Sequence, residues 1–230
     1  NKEGLLSTYR SIGLVYMQQN DSANSIRYLT QAEKISREMP LTNEIISLYN
    51  TIGVHYIAAH DTERGLKLFL SDLELSNKEE FAVSHVECLL YLGNFYIDKQ
   101  MPGKALQYLN DGLKLAREKK MLEEESNLLL MIALTIKQND PAAAAENLRQ
   151  ALAIAERMHN NAFRVTVYAE MATLFKEQGK FKEALDASER KQQLADSIFN
   201  MNKIKEIASI SSAYEFEKSD LKICLLYTSP

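Results

Sequence analysis

The sequence has few of the residues that interrupt helices. Its 230 residues include 4 prolines, 8 glycines and no tryptophan. So few turn-forming residues argue against an all-β protein built from many short strands. A composition of 46% hydrophobic and 25% charged residues excludes wholesale disorder. Composition therefore favours an all-α protein.

An excess of positive charge is also missing. The 27 Lys and Arg residues against 31 Asp and Glu residues give a net charge of −4. No net basic field exists to hold a polyanion, so we expect no nucleic-acid partner for this fragment. The apolar residues are scattered, without an uninterrupted run of about 18, so we expect no membrane span in it.

Sequence motifs for catalysis and for cofactor binding are lacking. There is no G-x-x-x-x-G-K-[ST] phosphate loop and no G-x-S-x-G nucleophile elbow. The four histidines, His55, His60, His85 and His159, form no His-x3-His or His-Glu-x2-His arrangement. We therefore expect no enzyme, no catalytic residue, no cofactor and no metal site.

The two cysteines and the chain ends carry little functional information. Cys88 lies at helical spacing among apolar residues, which predicts a small buried side chain. Residues 224–230, which include Cys224, resemble a translated sequencing-adapter tail, so we predict that they are not native. The chain begins with Asn1 instead of Met, so we expect position 1 to be internal to a longer gene product.

An internal repeat is the strongest positive signal. The pattern Tyr9-x2-Ile12-Gly13-x2-Tyr16 recurs in variant form at 49–56, 89–96, 129–136 and 168–175, at intervals of 40, 40, 40 and 39 residues. The second half of each of the first four units places a small residue four positions before a large apolar one: Ser25 and Leu29, Gly65 and Phe69, Ala105 and Leu109, Ala144 and Leu148. The fifth unit keeps the small residue, Ala184, but has Ser188 at the apolar position. Large residues three, four and seven apart form one stripe of a helix, and small residues mark close helix contacts.

The repeat predicts ten antiparallel helices, two in each unit. We place them at 4–19, 22–38, 43–59, 62–76, 80–99, 102–119, 122–138, 141–158, 161–178 and 181–199. Asp140 before Pro141 is typical of an N-cap followed by proline in the first helical turn.

With Tyr or Leu in place of Trp, these units resemble the tetratricopeptide repeat, W-x2-L-G-x2-Y followed by A-x3-F. The resemblance implies a right-handed α-solenoid of about five helix-turn-helix repeats with a C-terminal helix. We divide the chain into a solenoid at 1–195, a capping or signalling helix at 196–223 and the tail at 224–230. The long period resembles repeat proteins that include peptide-sensing bacterial regulators.

A second resemblance concerns the residues after the repeats. Asp196-Ser197-Ile198-Phe199-Asn200 and Tyr214-Glu215-x-Glu217-Lys218 resemble bacterial membrane-bound sensor kinases or transcriptional regulators, whose repeats end in such segments. This likeness implies a periplasmic location; without it, a cytoplasmic one is expected. Apolar residues of this helix, among them Ile207 and Ile210, either cap the last repeat or pair two copies into a homodimer.

The first helices of such a solenoid line its concave surface, which is the default binding site. Periodicity assigns to this groove the side chains of Arg10, Asn50, Val54, Glu87, Leu90, Asn94, Asn127, Leu130 and Leu134. We expect the three asparagines to face solvent and to hydrogen-bond the backbone of an extended peptide.

The function predicted is a protein- or peptide-binding scaffold, the sensory or interaction region of a bacterial signal-transduction protein. Two alternatives stay open. One is a structural self-association module without a peptide ligand, and the other is a cytoplasmic peptide-sensing regulator.

Overall fold

A computed structural model describes residues 2–40, 42–58 and 61–228, although the side chains of 202, 206–208, 210 and 212–228 are outside the description. The helices are α1 (Lys2–Gln18), α2 (Ser22–Ser36), α3 (Asn43–Ala58), α4 (Thr62–Leu75), α5 (Ala82–Asp98), α6 (Pro102–Lys119), α7 (Leu122–Ile136), α8 (Pro141–Arg157), α9 (Asn161–Glu177) and α10 (Phe181–Thr228). A short 3-10 helix, Glu79–Phe81, precedes α5. The described residues contain no strand, which confirms the all-α prediction.

The predicted helix boundaries hold for α1 to α9, whose ends lie within two residues of prediction. The predicted end of α10 at residue 199 is wrong, because this helix continues without a break to Thr228. No proline or glycine occurs between Phe181 and Thr228, so the chain contains no strong stop signal there. The division at 195/196 and the non-native tail stay predictions, and the side chains of Ile207 and Ile210 lie outside the described residues.

Local sequence accounts for where the helices begin and end. The Asp21, Asp140 and Asn160 side chains accept hydrogen bonds from backbone N–H groups three residues on, at 3.1, 2.9 and 3.0 Å. These contacts satisfy N–H groups that the first helical turn leaves free, and the one at Asp140 confirms the predicted cap. Gly179, in the turn between α9 and α10, has a φ of 69°, a backbone conformation that glycine adopts without steric cost.

The chain divides into an N-terminal unit, residues 1–154, and a C-terminal unit, residues 155–230. In the N-terminal unit the second helix of one repeat packs against the first helix of the next. One such cluster joins Leu29 and Ala32 to Leu48 and Ile52. The next joins Phe69 of α4 to three residues of α5: Cys88, Leu92 and Phe95.

Cys88 is fully buried, as predicted, and its thiol donates a hydrogen bond to the Phe69 carbonyl at 3.1 Å. Burial raises the pKa of this thiol, so Cys88 is a core residue with little thiolate character.

In the C-terminal unit, α9 packs against α10. The buried residues of this pair are Val167, Tyr168, Met171, Leu174, Phe175 and Ala187.

Within each of the first three repeats, the two helices approach closely at a glycine. A Cβ atom added to Gly13 or Gly53 would lie 2.6 Å from the side chain of Leu29 or Phe69, respectively. At Gly93 the corresponding distance, to Leu109 Cδ2, is 2.4 Å. Glycine therefore leaves the space that the large residue of the second helix fills.

One buried side chain departs from the repeat pattern. Asp72 occupies a position where the other repeats of the N-terminal unit have the small residues Ala32, Gly112 and Ala151. It is fully buried, and neither carboxyl oxygen has a hydrogen-bond partner among the described residues. Burial, and secondarily the charge of Glu33, raises the pKa of Asp72 to about 8. This carboxyl is therefore mainly protonated at neutral pH.

A first prediction concerns the glycine contacts. Gly93→Leu should overpack the contact with Leu109 and lower the free energy of unfolding by roughly 1–3 kcal/mol or more, with a smaller loss for Gly93→Ala. The control is Gly103→Ala in α6, where an added Cβ would meet nothing within 4 Å. Urea unfolding monitored by circular dichroism gives all three values. Wild-type stability in both Gly93 variants would contradict the assigned helix contact.

A second prediction concerns the pH dependence of stability. Between pH 4 and 8 the folded chain keeps the Asp72 proton, whereas the unfolded chain releases it near its ordinary pKa of 3.8. The contribution of Asp72 to the free energy of unfolding is therefore greatest below pH 4. It decreases as the pH rises to about 8, by up to about 1.4 kcal/mol per pH unit. Asp72→Asn cannot ionise and should remove this slope. Urea unfolding of both proteins at pH 5, 6, 7 and 8 measures it, and parallel stability curves would refute the assignment.

Candidate functional site

The first helices of the N-terminal unit line a groove made of three adjoining pockets. The carboxylate pocket, about 250 Å³, is lined by residues of α5 and α7: Val86, Glu87, Leu90, Tyr91, Glu123, Glu124 and Asn127. The N-terminal pocket, about 270 Å³, is lined by residues of α1, α3 and α5: Arg10, Asn43, Glu44, Ser47, Val83, Ser84 and Glu87. The aromatic pocket, about 200 Å³, is lined by residues of α3, α4 and α5: Val54, Ile57, Phe69, Tyr91, Asn94, Phe95 and Asp98. Glu87 lines both the carboxylate and the N-terminal pocket, and Tyr91 lines both the carboxylate and the aromatic pocket, so the three pockets adjoin one another.

The 40-residue repeat explains why these side chains line one surface. Ser47, Glu87 and Asn127 occupy equivalent positions on α3, α5 and α7, and all three line the groove. Val54 and Asn94 are equivalent to each other in the same way. The repeat thus fixes positions along the groove, while the residue types at them vary.

Six of the nine predicted groove residues line these pockets: Arg10, Val54, Glu87, Leu90, Asn94 and Asn127. The other three, Asn50, Leu130 and Leu134, line none of the three pockets. Whether the six bind a partner stays a prediction.

The expectation that Asn50 faces solvent is wrong. Its exposed fraction is 1%, and neither its amide nitrogen nor its amide oxygen has a hydrogen-bond partner among the described residues. Tyr49, Ile52 and His55, which lie on either side of Asn50 along α3, are also buried. Only part of this helix therefore reaches the groove. The periodicity predicted which side of α3 faces the groove, but not how deeply that side is buried.

The carboxylate pocket brings three acidic side chains together. Glu87 is half-buried, and its pKa is raised by burial and then by the charges of Glu124 and Glu123. Among the described residues none of the three forms an ion pair. The neighbouring Glu125 lies outside the pocket and pairs with Arg117 at 2.9 Å. The pocket is therefore a site of uncompensated negative charge.

The aromatic pocket has a different character. The rings of Tyr91 and Phe69 stack with their centroids 5.6 Å apart. Burial and then the charge of Glu87 raise the pKa of Tyr91, so its hydroxyl is protonated at neutral pH. The Asn94 Oδ1 atom is buried and has no hydrogen-bond partner within the described ranges. An apolar wall thus lies beside an oxygen that can accept a hydrogen bond.

A larger cavity of about 670 Å³ lies outside the groove, between α4, the 3-10 helix, α5 and α6. Leu73, Leu89 and Leu115 contribute its apolar lining. His85 accepts or donates a hydrogen bond with Ser76 at 2.9 Å, and burial lowers the pKa of this histidine. Lys119 forms an ion pair with Glu79 at its edge. Both signs of charge line this cavity.

No group of three or more His, Cys, Asp or Glu side chains among the described residues could hold a metal ion, and His60 lies outside those residues. No helix in the same residues has both the length and the apolar character needed to cross a membrane.

The model of the tetratricopeptide repeat matches residues 6–39, which contain most of α1 and all of α2. No curated protein matches the sequence.

Solved structures give broader matches. Aspartyl phosphate phosphatase F from Bacillus subtilis has a TM-score of 0.76 at 14% identity, covering 84% of this chain and 51% of that one. A Rap protein complexed with Competence and Sporulation Factor has a TM-score of 0.71 at 18% identity, covering 84% and 54%. The Q17M variant of the kinesin light chain TPR-like repeats from Podosopora anserina has a TM-score of 0.66 at 15% identity, covering 85% and 96%.

The fold is that of the tetratricopeptide-repeat solenoids. Identities this low show the fold alone, and the chain spans about half the length of the first two proteins. The tetratricopeptide-like repeat explains the helix pairs, whereas the groove chemistry belongs to this chain's own residues.

The groove residues that sequence reasoning missed include Glu123, Glu124 and Tyr91. As charges that suit the first turn of α7, Glu123 and Glu124 have a purely structural explanation. Glu123 lies four residues before Asn127, on the same side of the helix, which was an available signal. Tyr91 is not at one of the repeat positions that the other first-helix tyrosines occupy, and this too could have distinguished it.

A third prediction concerns Asn50. Leu90 and Leu130 occupy the equivalent positions of the next two repeats, so Asn50→Leu fits the pattern and removes two unpartnered buried polar atoms. We expect the free energy of unfolding to increase by about 1–3 kcal/mol. Thermal and urea unfolding measure the change, with Asn110→Leu on the exposed side of α6 as the control. A decrease in the free energy of unfolding for Asn50→Leu would contradict the prediction, because it would show that the Asn50 amide makes stabilising contacts.

Proposed function

We propose that this chain is a non-enzymatic scaffold that binds a protein or peptide in the groove of its N-terminal unit. The observation that supports this most is that the three pockets adjoin one another along α1, α3, α5 and α7. First helices form the recognition surface of repeat proteins of this architecture. No residue constellation for catalysis accompanies the groove.

The pocket sizes favour a peptide over a compact small molecule. Each pocket, at about 200–270 Å³, is smaller than the roughly 300–1,000 Å³ typical of small-molecule sites. A row of small pockets suits successive side chains of one extended segment. The half-buried amide side chains of Asn94 and Asn127 supply hydrogen-bonding groups for its backbone.

The proposed setting is the sensory or interaction region of a bacterial signal-transduction protein. Two structural relatives are complexes: the Rap protein with Competence and Sporulation Factor, and the Rap conjugation gene regulator of plasmid pLS20 with the Phr* peptide. The Asp196–Asn200 segment supports a membrane-bound signalling protein and, with it, a periplasmic location. A cytoplasmic peptide-sensing regulator would use the same groove.

The alternative of self-association also has a specific observation in its favour. Phe181, Leu185 and Phe199 of α10 are 70%, 60% and 67% exposed. Leu66, which is equivalent to Leu185, packs against the first helix of the following repeat. Leu185 thus presents an apolar surface that a second copy of the chain could cover.

A fourth prediction tests the groove. A displayed random-peptide library selected on the chain should give binders, and the double variant Asn94→Ala, Asn127→Ala should weaken them about 5- to 150-fold, the equivalent of two hydrogen bonds. Its melting temperature should stay near that of wild type, because neither side chain is fully buried. Isothermal titration calorimetry measures the affinities.

The matched control for this experiment is Asn110→Ala, which removes an exposed asparagine from α6, outside the groove. Equal weakening by the control would contradict a groove-specific role. A chain that selects no peptide but forms a stable dimer in light scattering would instead favour self-association through α10.

A further inference from the structure

Glu87 differs from the residues at the same position of the neighbouring repeats. Ser47 and Asn127, 40 residues before and after it, are neutral, whereas Glu87 places a charge in the middle of the groove. It is half-buried in the second turn of α5, facing Glu123 and Glu124 of α7. A carboxylate in this position is costly, because burial and two like charges both oppose its ionisation.

Neighbouring groups within the described residues do not offset this charge. The first-turn position of Glu123 and Glu124 on α7 lets the helix dipole stabilise them, but Glu87 lies beyond the first turn of its own helix. Arg10 lines the adjoining N-terminal pocket together with Glu44 and Glu87, yet it forms no ion pair in the described part of the chain. No ion pair among the described residues of this surface therefore neutralises the carboxylate pocket.

The aromatic pocket lies beside the carboxylate pocket. Tyr91 is a wall of both pockets, so the two are separated by one aromatic ring. The ring can contact the aliphatic stem of a long basic side chain on one side and an apolar side chain on the other. Alternate side chains of an extended peptide point to the same side, about 6.5–7 Å apart, so two of them can enter neighbouring pockets.

We propose that the groove selects peptides in which a lysine or arginine is separated by one residue from an apolar side chain. The basic side chain binds Glu87, Glu123 and Glu124 in the carboxylate pocket. The apolar side chain enters the aromatic pocket against Phe69 and Phe95. The half-buried Asn94 side chain hydrogen-bonds the intervening peptide backbone. This inference rests on the proposed peptide-binding function and adds the chemical class of the ligand.

The test uses the random-peptide library on wild-type chain and on two variants that each remove one negative charge. Glu87→Gln removes a charge from the carboxylate pocket. Glu125→Gln, the control, removes a charge from the first turn of α7 outside the pocket. Sequences enriched by wild type should share a Lys or Arg two positions from an apolar residue. Glu87→Gln should weaken such a peptide by about tenfold or more, as expected for loss of a charge-assisted hydrogen bond. Glu125→Gln should change the affinity less than twofold.

A double-mutant cycle separates direct contact from a general charge effect. Replacing the basic residue of the peptide by Gln should weaken binding to wild type at least as much as Glu87→Gln does, and should cause a smaller loss on the Glu87→Gln chain than on wild type. Glu87→Gln should fold normally, because it removes like-charge repulsion.

Enriched peptides without a basic residue, or additive losses in the cycle, would overturn the inference and leave the groove proposal standing. A library that yields no binders would overturn both.

Discussion

The close contact between the two helices of a repeat is the constraint on which the rest of the structure depends. Gly13, Gly53 and Gly93 let Leu29, Phe69 and Leu109 of the second helices fill the space beside the first helices. A packed pair then exposes an apolar side that the next first helix covers, as in the cluster around Phe69, Cys88 and Leu92. Since this contact recurs every 40 residues, equivalent positions of α3, α5 and α7 lie in register along one surface.

Because of this register, the repeat positions that stabilise the fold differ from the positions that determine the chemistry of the groove. The contact positions vary little, because a larger side chain would not fit beside Leu109 or Phe69. The groove positions vary freely: Ser47, Glu87 and Asn127 are equivalent, yet they differ in charge and hydrogen-bonding capacity. A repeat scaffold can thus change its ligand without changing its packing. Asp72 is an exception inside the core, where a carboxyl replaces a small residue and makes stability depend on pH.

Sequence reasoning succeeded where the information is local and periodic. Small residues at Gly53 and Gly65, followed by Phe69, predict a tight helix pair, and the boundaries of α1 to α9 follow from this spacing and from caps such as Asp140. The end of α10 could not be placed, because a change in apolar pattern near residue 196 is not a stop signal. The burial of Asn50 depends on how deeply α3 lies among its neighbours, which periodicity does not report. The carboxylate pocket combines Glu87 with residues 36 and 37 positions away, so it became visible only in three dimensions.

The central claim is that the first helices of the N-terminal unit form the ligand-binding surface, and site-specific photo-crosslinking tests it most directly. A benzophenone amino acid would replace either Val54, which lines the aromatic pocket, or Leu70 on α4, which lies outside the groove. The two positions are matched in accessibility, at 37% and 39% exposed. Irradiation with a peptide selected on the wild-type chain should give a crosslinked product from position 54 and none from position 70. A product from position 70 without one from position 54 would contradict the account.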